Sequence, residues 1–238
     1  MSIAGNIAKI EERLIRSLDR AGRKRDEITL MGVSKFVPSG LIEQAFDAGI
    51  RCFGESRVKE AVEKLSNFRD NHSDARIHFI GSLQRNKAKQ AALFFDCIQS
   101  IDREELVLEL EKHSVNRGEF NNEPRERRLD VLLELHTGEE TKNGFTDLDS
   151  LLKAAELVLK SETLKPAGLM TMAPFTADTN LIRESFRRLV KAQREIVKRF
   201  SHEENWACLS MGMSNDFEIA VEEGSTLLRI GGAIFNGE

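Results

Sequence analysis

Eight short apolar runs separated by amphipathic segments constrain this chain more than any other feature. The runs are ITLMGVS (28–34), CFGES (52–56), IHFIG (77–81), CIQSI (97–101), LDVLLELH (129–136), PAGLMTM (166–172), CLSMGM (208–213) and TLLRIGGAIF (226–235). Most are continuous rather than alternating, which suits strands of a parallel sheet covered by helices. Between them lie helical patterns such as SGLIEQAFDAG (39–49), with Ser39 as N-cap after Pro38 and Gly49 as C-terminal stop. A further helix over residues 2–22 precedes the first run.

Strands interleaved with helices, without a linker or low-complexity segment, point to one α/β domain over 1–238, a closed (β/α)8 TIM-type barrel with an extra N-terminal helix. The length of 238 residues fits the roughly 250 usual for that architecture. A doubly wound open sheet is the alternative. The stretches NNEPRERR (121–128) and TGEETKNGF (137–145) read as surface excursions rather than domain boundaries.

A net charge of −4 gives no overall bias toward nucleic acid or an anionic membrane. The basic cluster from Arg20 to Arg25 is offset by Glu11, Glu12, Asp19, Asp26 and Glu27 and reads as a solvated helix end. Cys52, Cys97 and Cys208 are far apart and show no CxxC spacing, so neither a disulfide framework nor a zinc site is expected. His78, His136 and His202 lack metal-ligand spacing and read as structural. The N-terminus has no signal-peptide pattern, and no run approaches the about 20 apolar residues that span a bilayer. A reduced cytoplasmic setting is the expectation. Arg85, Lys87 and Lys89 form a basic face that suits a solvated helix or a partner surface.

Active sites of such barrels gather at the C-terminal ends of the strands. That rule puts Lys35, directly after the first apolar run, at the barrel mouth. A partly desolvated lysine there can form a Schiff base with an aldehyde; a lysine facing solvent is the plain alternative, and position alone does not decide. The tail LSMGMSNDFEIAVEEGSTLLRIGGAIF adds a second half-site. Ser214 opens an N-cap signature after the seventh strand, and Gly231-Gly232 after the eighth would let backbone amides approach a phosphate. Loops after strands seven and eight commonly hold phosphate in these barrels.

Pyridoxal 5′-phosphate (PLP) satisfies both halves, with an aldehyde for the lysine and a phosphate for the amides. Its ring nitrogen needs a protein partner. Arg229, two residues before Gly231, shares that side of the strand and points into the barrel. It is either the ring-nitrogen partner or half of a structural ion pair.

The blocks MGVSKFVPSGLIEQAFDAGIRCFGESRVKE, IHFIGSLQRNKAK, GLMTMAPF and the tail above resemble the pyridoxal phosphate homeostasis proteins, single-domain relatives of the alanine racemase N-terminal barrel. The resemblance covers nearly the whole chain. It implies a PLP fold type III-like barrel without the C-terminal β domain, with PLP held covalently on Lys35 and Arg229 facing the pyridine nitrogen. It further implies phosphate contacts from Ser214, Gly231 and Gly232, and places Met211 in a block lining the cofactor. Three departures stand out. Ser56 replaces the usual Asn of FGEN, so Ser56 enters as a provisional site residue; Ser82 replaces the His of GHLQ; and Gly232 replaces a Thr, removing a hydroxyl donor to the phosphate.

Related racemases add a second domain that supplies a catalytic tyrosine, and this chain contains no Tyr. Two-base racemisation needs a proton donor on each face of the substrate carbon. An arginine at the ring nitrogen also leaves the ring a poorer electron sink than a pyridinium. The implied role is therefore a non-enzymatic one in intracellular PLP homeostasis, acting as a monomer with PLP-requiring apo-enzymes as expected partners. A weak PLP-dependent racemase or other amino-acid enzyme, and a cofactor-free Schiff-base aldolase binding a sugar phosphate, are the alternatives.

Overall fold

The computed structural model describes residues 2–115, 117, 128–138 and 143–237. Eight parallel strands close into a barrel in sequence order. They are β1 (Thr29–Val33), β2 (Cys52–Glu55), β3 (Arg76–Phe79), β4 (Cys97–Ile101), β5 (Leu129–Glu134), β6 (Leu164–Met170), β7 (Cys208–Ser210) and β8 (Leu227–Ile230). Closure is made by β1 against β8, with Thr29 opposite Leu227 and Gly32 opposite Ile230.

The helices are α1 (Ile3–Ala21), α2 (Ser39–Asp47), α3 (Val58–Asn71), α4 (Ala88–Phe94), α5 (Glu104–Ser114), α6 (Leu148–Lys160), α7 (Thr179–Phe200), α8 (Phe217–Glu222) and α9 (Gly232–Phe235). The extra helix α1 shows how its sequence dictates its ends. Ser2 Oγ accepts from Gly5 N–H at 3.2 Å, and Gly22 stops the helix in the left-handed region at φ 64°. Ile3, Ile7, Ile10, Leu14 and Leu18 recur every three or four residues and are all buried. That stripe packs α1 onto α8, α9 and α2.

Alternation along the strands divides the core in two. Outward-facing residues such as Leu30, Phe53, Ile77 and Ile98 join the helices in one large apolar layer. Each such side chain contributes roughly 1.5–3 kcal/mol through burial. Inward-facing Met31, Cys52 and Leu227 fill one part of the lumen, and Cys97, Leu132 and Met170 another. The three cysteines are free thiols, and burial pushes each thiol pKa up, that of Cys208 to about 11.

The basic segment from Arg20 to Arg25 ties elements together. Arg20 bonds Glu222, Arg23 bonds Glu27 and donates to the Val221 and Ser225 carbonyls, and Arg25 grips Glu11 with two nitrogens, each at 2.7 Å. Its charges are thus spent internally as well as on solvent. On the basic face of the fourth helical segment, Arg85 pairs with Glu109 at 2.9 Å.

Several boundaries differ from the sequence expectation. Pro38 takes the N-cap position and α2 begins at Ser39 itself, because the fixed proline φ of −61° already leads into the helix. Ser214 is not a helix cap: α8 starts at Phe217, since residues 214–216 turn and Asp216 Oδ1 accepts the Met213 N–H at 2.6 Å. The last run is a strand only to Ile230; Gly231, with ψ −83°, breaks the extended path and a helical turn follows from Gly232. Of the two expected surface excursions, residues 121–127 and 139–142 lie outside the described residues. No described helix is long and apolar enough to cross a membrane.

Candidate functional site

The C-terminal ends of the strands surround an open cavity of about 800 Å³, within the range of small-molecule sites. Lys35, Ser56, Ser214, Arg229, Gly231 and Gly232 all line it. Met211, expected at the cofactor, does not. Its side chain faces outward and is fully buried in the apolar layer beneath the helices, while Met213, two residues on, lines the cavity.

Lys35 is exposed at the mouth, two residues past the end of β1. The Val37 N–H donates to the Ser34 carbonyl at 3.0 Å, and Phe36 adopts the left-handed region at φ 62°. That sharp turn leaves the ammonium of Lys35 without a protein partner among the described residues. Beneath it lies a second lysine with the opposite fate. Lys64 Nζ stands 2.7 Å from Glu55 Oε1 and donates to the Ser34 carbonyl at 2.8 Å. Ser34 Oγ donates to the same Glu55 oxygen at 2.7 Å. Of the two, only Lys35 is free to react.

Arg229 is 4% exposed, yet forms no ion pair among the described residues. Its Nη1 donates to Ser210 Oγ and its Nη2 to the Thr171 carbonyl, both at 2.7 Å. Asp216 and Glu134 act on it only through space, and burial pulls its pKa down. Among the described residues Arg229 thus meets neutral acceptors where the structural ion pair would need a carboxylate. A guanidinium has five N–H donors, so its two neutral acceptors leave donors for an occupant of the cavity.

The loop after β7 is set by Gly212, whose φ of 98° and contact geometry exclude a side chain: a Cβ there would lie 2.6 Å from the Ala220 Cβ. Its carbonyl accepts the Arg229 N–H at 2.9 Å, joining the Ser214 loop to β8. At α9 the Ile234 and Phe235 amides bond back to Gly231 O, whereas Gly232 and Ala233 begin the first turn and have no acceptor within the helix. A side chain at 231 would press on Val33, another lining residue, at 3.4 Å. The Ser82 hydroxyl accepts from Asn143 at 2.7 Å and does not line the cavity.

Two carboxyls near the mouth were not anticipated. Glu134, the last residue of β5, is 4% exposed, and burial pushes its pKa up to about 7; Asp102 pushes the same way and Arg229 opposes. Asp216 lines the cavity and is likewise raised by burial. A sequence signal existed for Glu134: it is a charged residue within the apolar run LDVLLELH, the same argument that marks Arg229. Gln99, central in CIQSI, carries it too. Among the described residues, no cluster of His, Cys, Asp and Glu could hold a metal.

Comparison with known proteins agrees with this fold. The family model for "Alanine racemase, N-terminal domain" matches residues 7–238. The pyridoxal phosphate homeostasis protein of Aquifex aeolicus is 35% identical over 237 residues, covering 99% of this chain and 98% of that protein. That of Vibrio cholerae is 36% identical, with 98% and 95% covered. Among solved structures, PipY of Synechococcus elongatus with PLP bound superposes with a TM-score of 0.81 at 28% identity, over 98% of this chain and 100% of that one. The chain therefore belongs to the alanine racemase N-terminal domain family, among its pyridoxal phosphate homeostasis proteins.

Proposed function

We propose that this protein binds PLP at the barrel mouth and serves PLP homeostasis rather than catalysing turnover. The observation that carries the reading is the convergence of a free lysine, a buried arginine with spare donors and the Gly231-Gly232 turn on one cavity. The residues fit the group. Lys35 Nζ is the amine that would hold the aldehyde carbon of the cofactor. Arg229 would offer N–H donors to the ring nitrogen and, as a permanent cation, would not transfer a proton to it. The backbone at Gly231 and Gly232, with the Ser214 hydroxyl, receives the phosphate, and Ser56 borders the same space. When bound, PLP supplies an aldehyde carbon and an electron-accepting ring; the arginine keeps that ring a weak acceptor.

Support for the homeostatic role comes from the relatives, which are named as homeostasis proteins, and from the PLP in PipY. We extend it to a monomer, one domain over 1–238, acting in the cytoplasm and passing the cofactor to PLP-requiring apo-enzymes. Titration with PLP, borohydride reduction and peptide mapping test the reading together. A visible band that reduction bleaches, with the label on Lys35, is the expected result. A protein that gains no band overturns it, and amino-acid Cα exchange in deuterated solvent that vanishes in Lys35→Ala would replace it with an enzyme.

A further inference from the structure

A single file of side chains crosses the barrel from Arg229. Arg229 Nη1 donates to Ser210 Oγ at 2.7 Å, Ser210 Oγ donates to Gln99 Oε1 at 2.7 Å, and Gln99 Nε2 is 2.8 Å from His78 Nδ1. The residues stand on β8, β7, β4 and β3, and β4 and β7 are not neighbours, so the middle bond spans the lumen. His78 lines a second cavity, of about 600 Å³, at the opposite end of the barrel.

The direction of the chain is forced by chemistry. A guanidinium only donates, so Ser210 accepts from it and has its own proton to give. Gln99 takes that proton on its carbonyl oxygen and turns its amide nitrogen to His78. Nδ1 of His78 must then be an acceptor, which leaves the imidazole neutral with its proton on Nε2. An imidazolium would present N–H to the Gln99 amide, so Gln99 would have to reverse. Its amide would then compete with Arg229 for the oxygen of Ser210.

We propose that Ser210, Gln99 and His78 are positioning residues for Arg229, a one-way hydrogen-bond chain that fixes the guanidinium beneath the mouth while His78 is neutral. The proposal rests on the PLP reading for its consequence, not for its geometry. Burial pushes the His78 pKa down to about 4, so the neutral form holds through the physiological range. The groups facing His78 allow this. Asp96 and Arg76 act on it in opposite senses, with Asp130 bonded to Arg76. Cys97 is its partner on β4 and Gly54 on β2, and Cys52, Glu11, Arg25 and Arg51 line its cavity with it.

Two measurements test the chain. In the protein without PLP, imidazole 15N shifts should show His78 only as the Nε2–H form from pH 8 down to about 5. Gln99→Leu should admit the Nδ1–H form. A wild-type His78 protonated on Nδ1, or a tautomer indifferent to Gln99→Leu, overturns the chain. With PLP, Ser210→Ala should weaken retention about tenfold and shift the pH profile of the visible band, and Ser210→Thr should restore both. Wild-type retention and profile in Ser210→Ala overturn the positioning role. Failure of the wild type to take up PLP overturns only the cofactor reading, because the tautomer measurement still judges the chain.

Discussion

Lys64 Nζ and Glu55 Oε1 meet at 2.7 Å beneath the turn that carries Lys35, with Glu55 fully buried and Lys64 13% exposed on its side chain. The pair shares Ser34, which bonds both partners. Removing one member leaves an uncompensated buried charge, which costs about 3–5 kcal/mol. Lys64→Met should therefore lower the unfolding free energy by an amount in that range, read as a lower urea midpoint at unchanged m, and, by loosening Ser34, reduce PLP retention. A midpoint within experimental error of wild type would show that the pair holds nothing.

Lys35 itself is exposed and unpaired among the described residues, so its removal should leave the fold alone. Lys35→Ala should change stability by no more than about 0.5 kcal/mol. It should abolish borohydride-stable labelling while leaving weak, dialysable PLP binding through Arg229 and the amides of α9. Equilibrium dialysis beside mass spectrometry of the reduced protein separates the two effects.

Glu134 makes stability depend on pH with a definite sign. Its folded pKa of about 7 lies above the ordinary value of 4.5, so the folded state holds a proton that the unfolded state has lost between those limits. Its contribution is complete below about pH 4.5 and is lost as pH rises through about 7. One pKa unit is worth about 1.4 kcal/mol. Glu134→Gln should flatten this part of the stability profile and raise stability above pH 7, read by urea denaturation at a series of pH values. A profile unchanged by the substitution would sink the assignment.

Gly232 opens the short helix α9, at a position where the family resemblance implies a threonine. Gly232→Thr adds a hydroxyl donor beside the first-turn amides. A hydrogen bond to a charged group is worth about 1.5–3 kcal/mol, so PLP retention should tighten by about tenfold or more. Off-rates measured by transfer to an apo-enzyme check this. An unchanged rate would place the phosphate elsewhere.

The barrel was legible because its pattern is local: continuous apolar runs make strands covered on both faces, and apolar stripes make helices that cover them. Arg229 was legible as well, since a cation in a buried strand stands out against its neighbours. The same reasoning applies to Glu134 and Gln99, but each lies in a run that reads as ordinary core until the opposite wall of the barrel is known. Met211 misled for a simpler reason. Side chains alternate along β7 and its continuation, so a block can line a cavity while every second residue faces away. Ser214 looked like a cap because a serine before an acidic, apolar segment usually is one; Asp216 takes the Met213 amide and delays the helix to Phe217.

The sequence by itself determined the order of strands and helices, the residue that must emerge at the end of β1 and the family to which the chain belongs. These follow from periodicity, from the cost of burying charge and from motif spacing, all of which act along the chain. Only the tertiary structure decided which of the two lysines beside Ser34 is free, what Arg229 is bonded to and that its bonds run across the lumen to His78. Those outcomes depend on distances between residues far apart in sequence: Lys64 is neutralised by Glu55 from another element, and Arg229 finds hydroxyl and carbonyl acceptors instead of a carboxylate. A lysine's reactivity and an arginine's spare donors are set by such partners, and no local pattern encodes them.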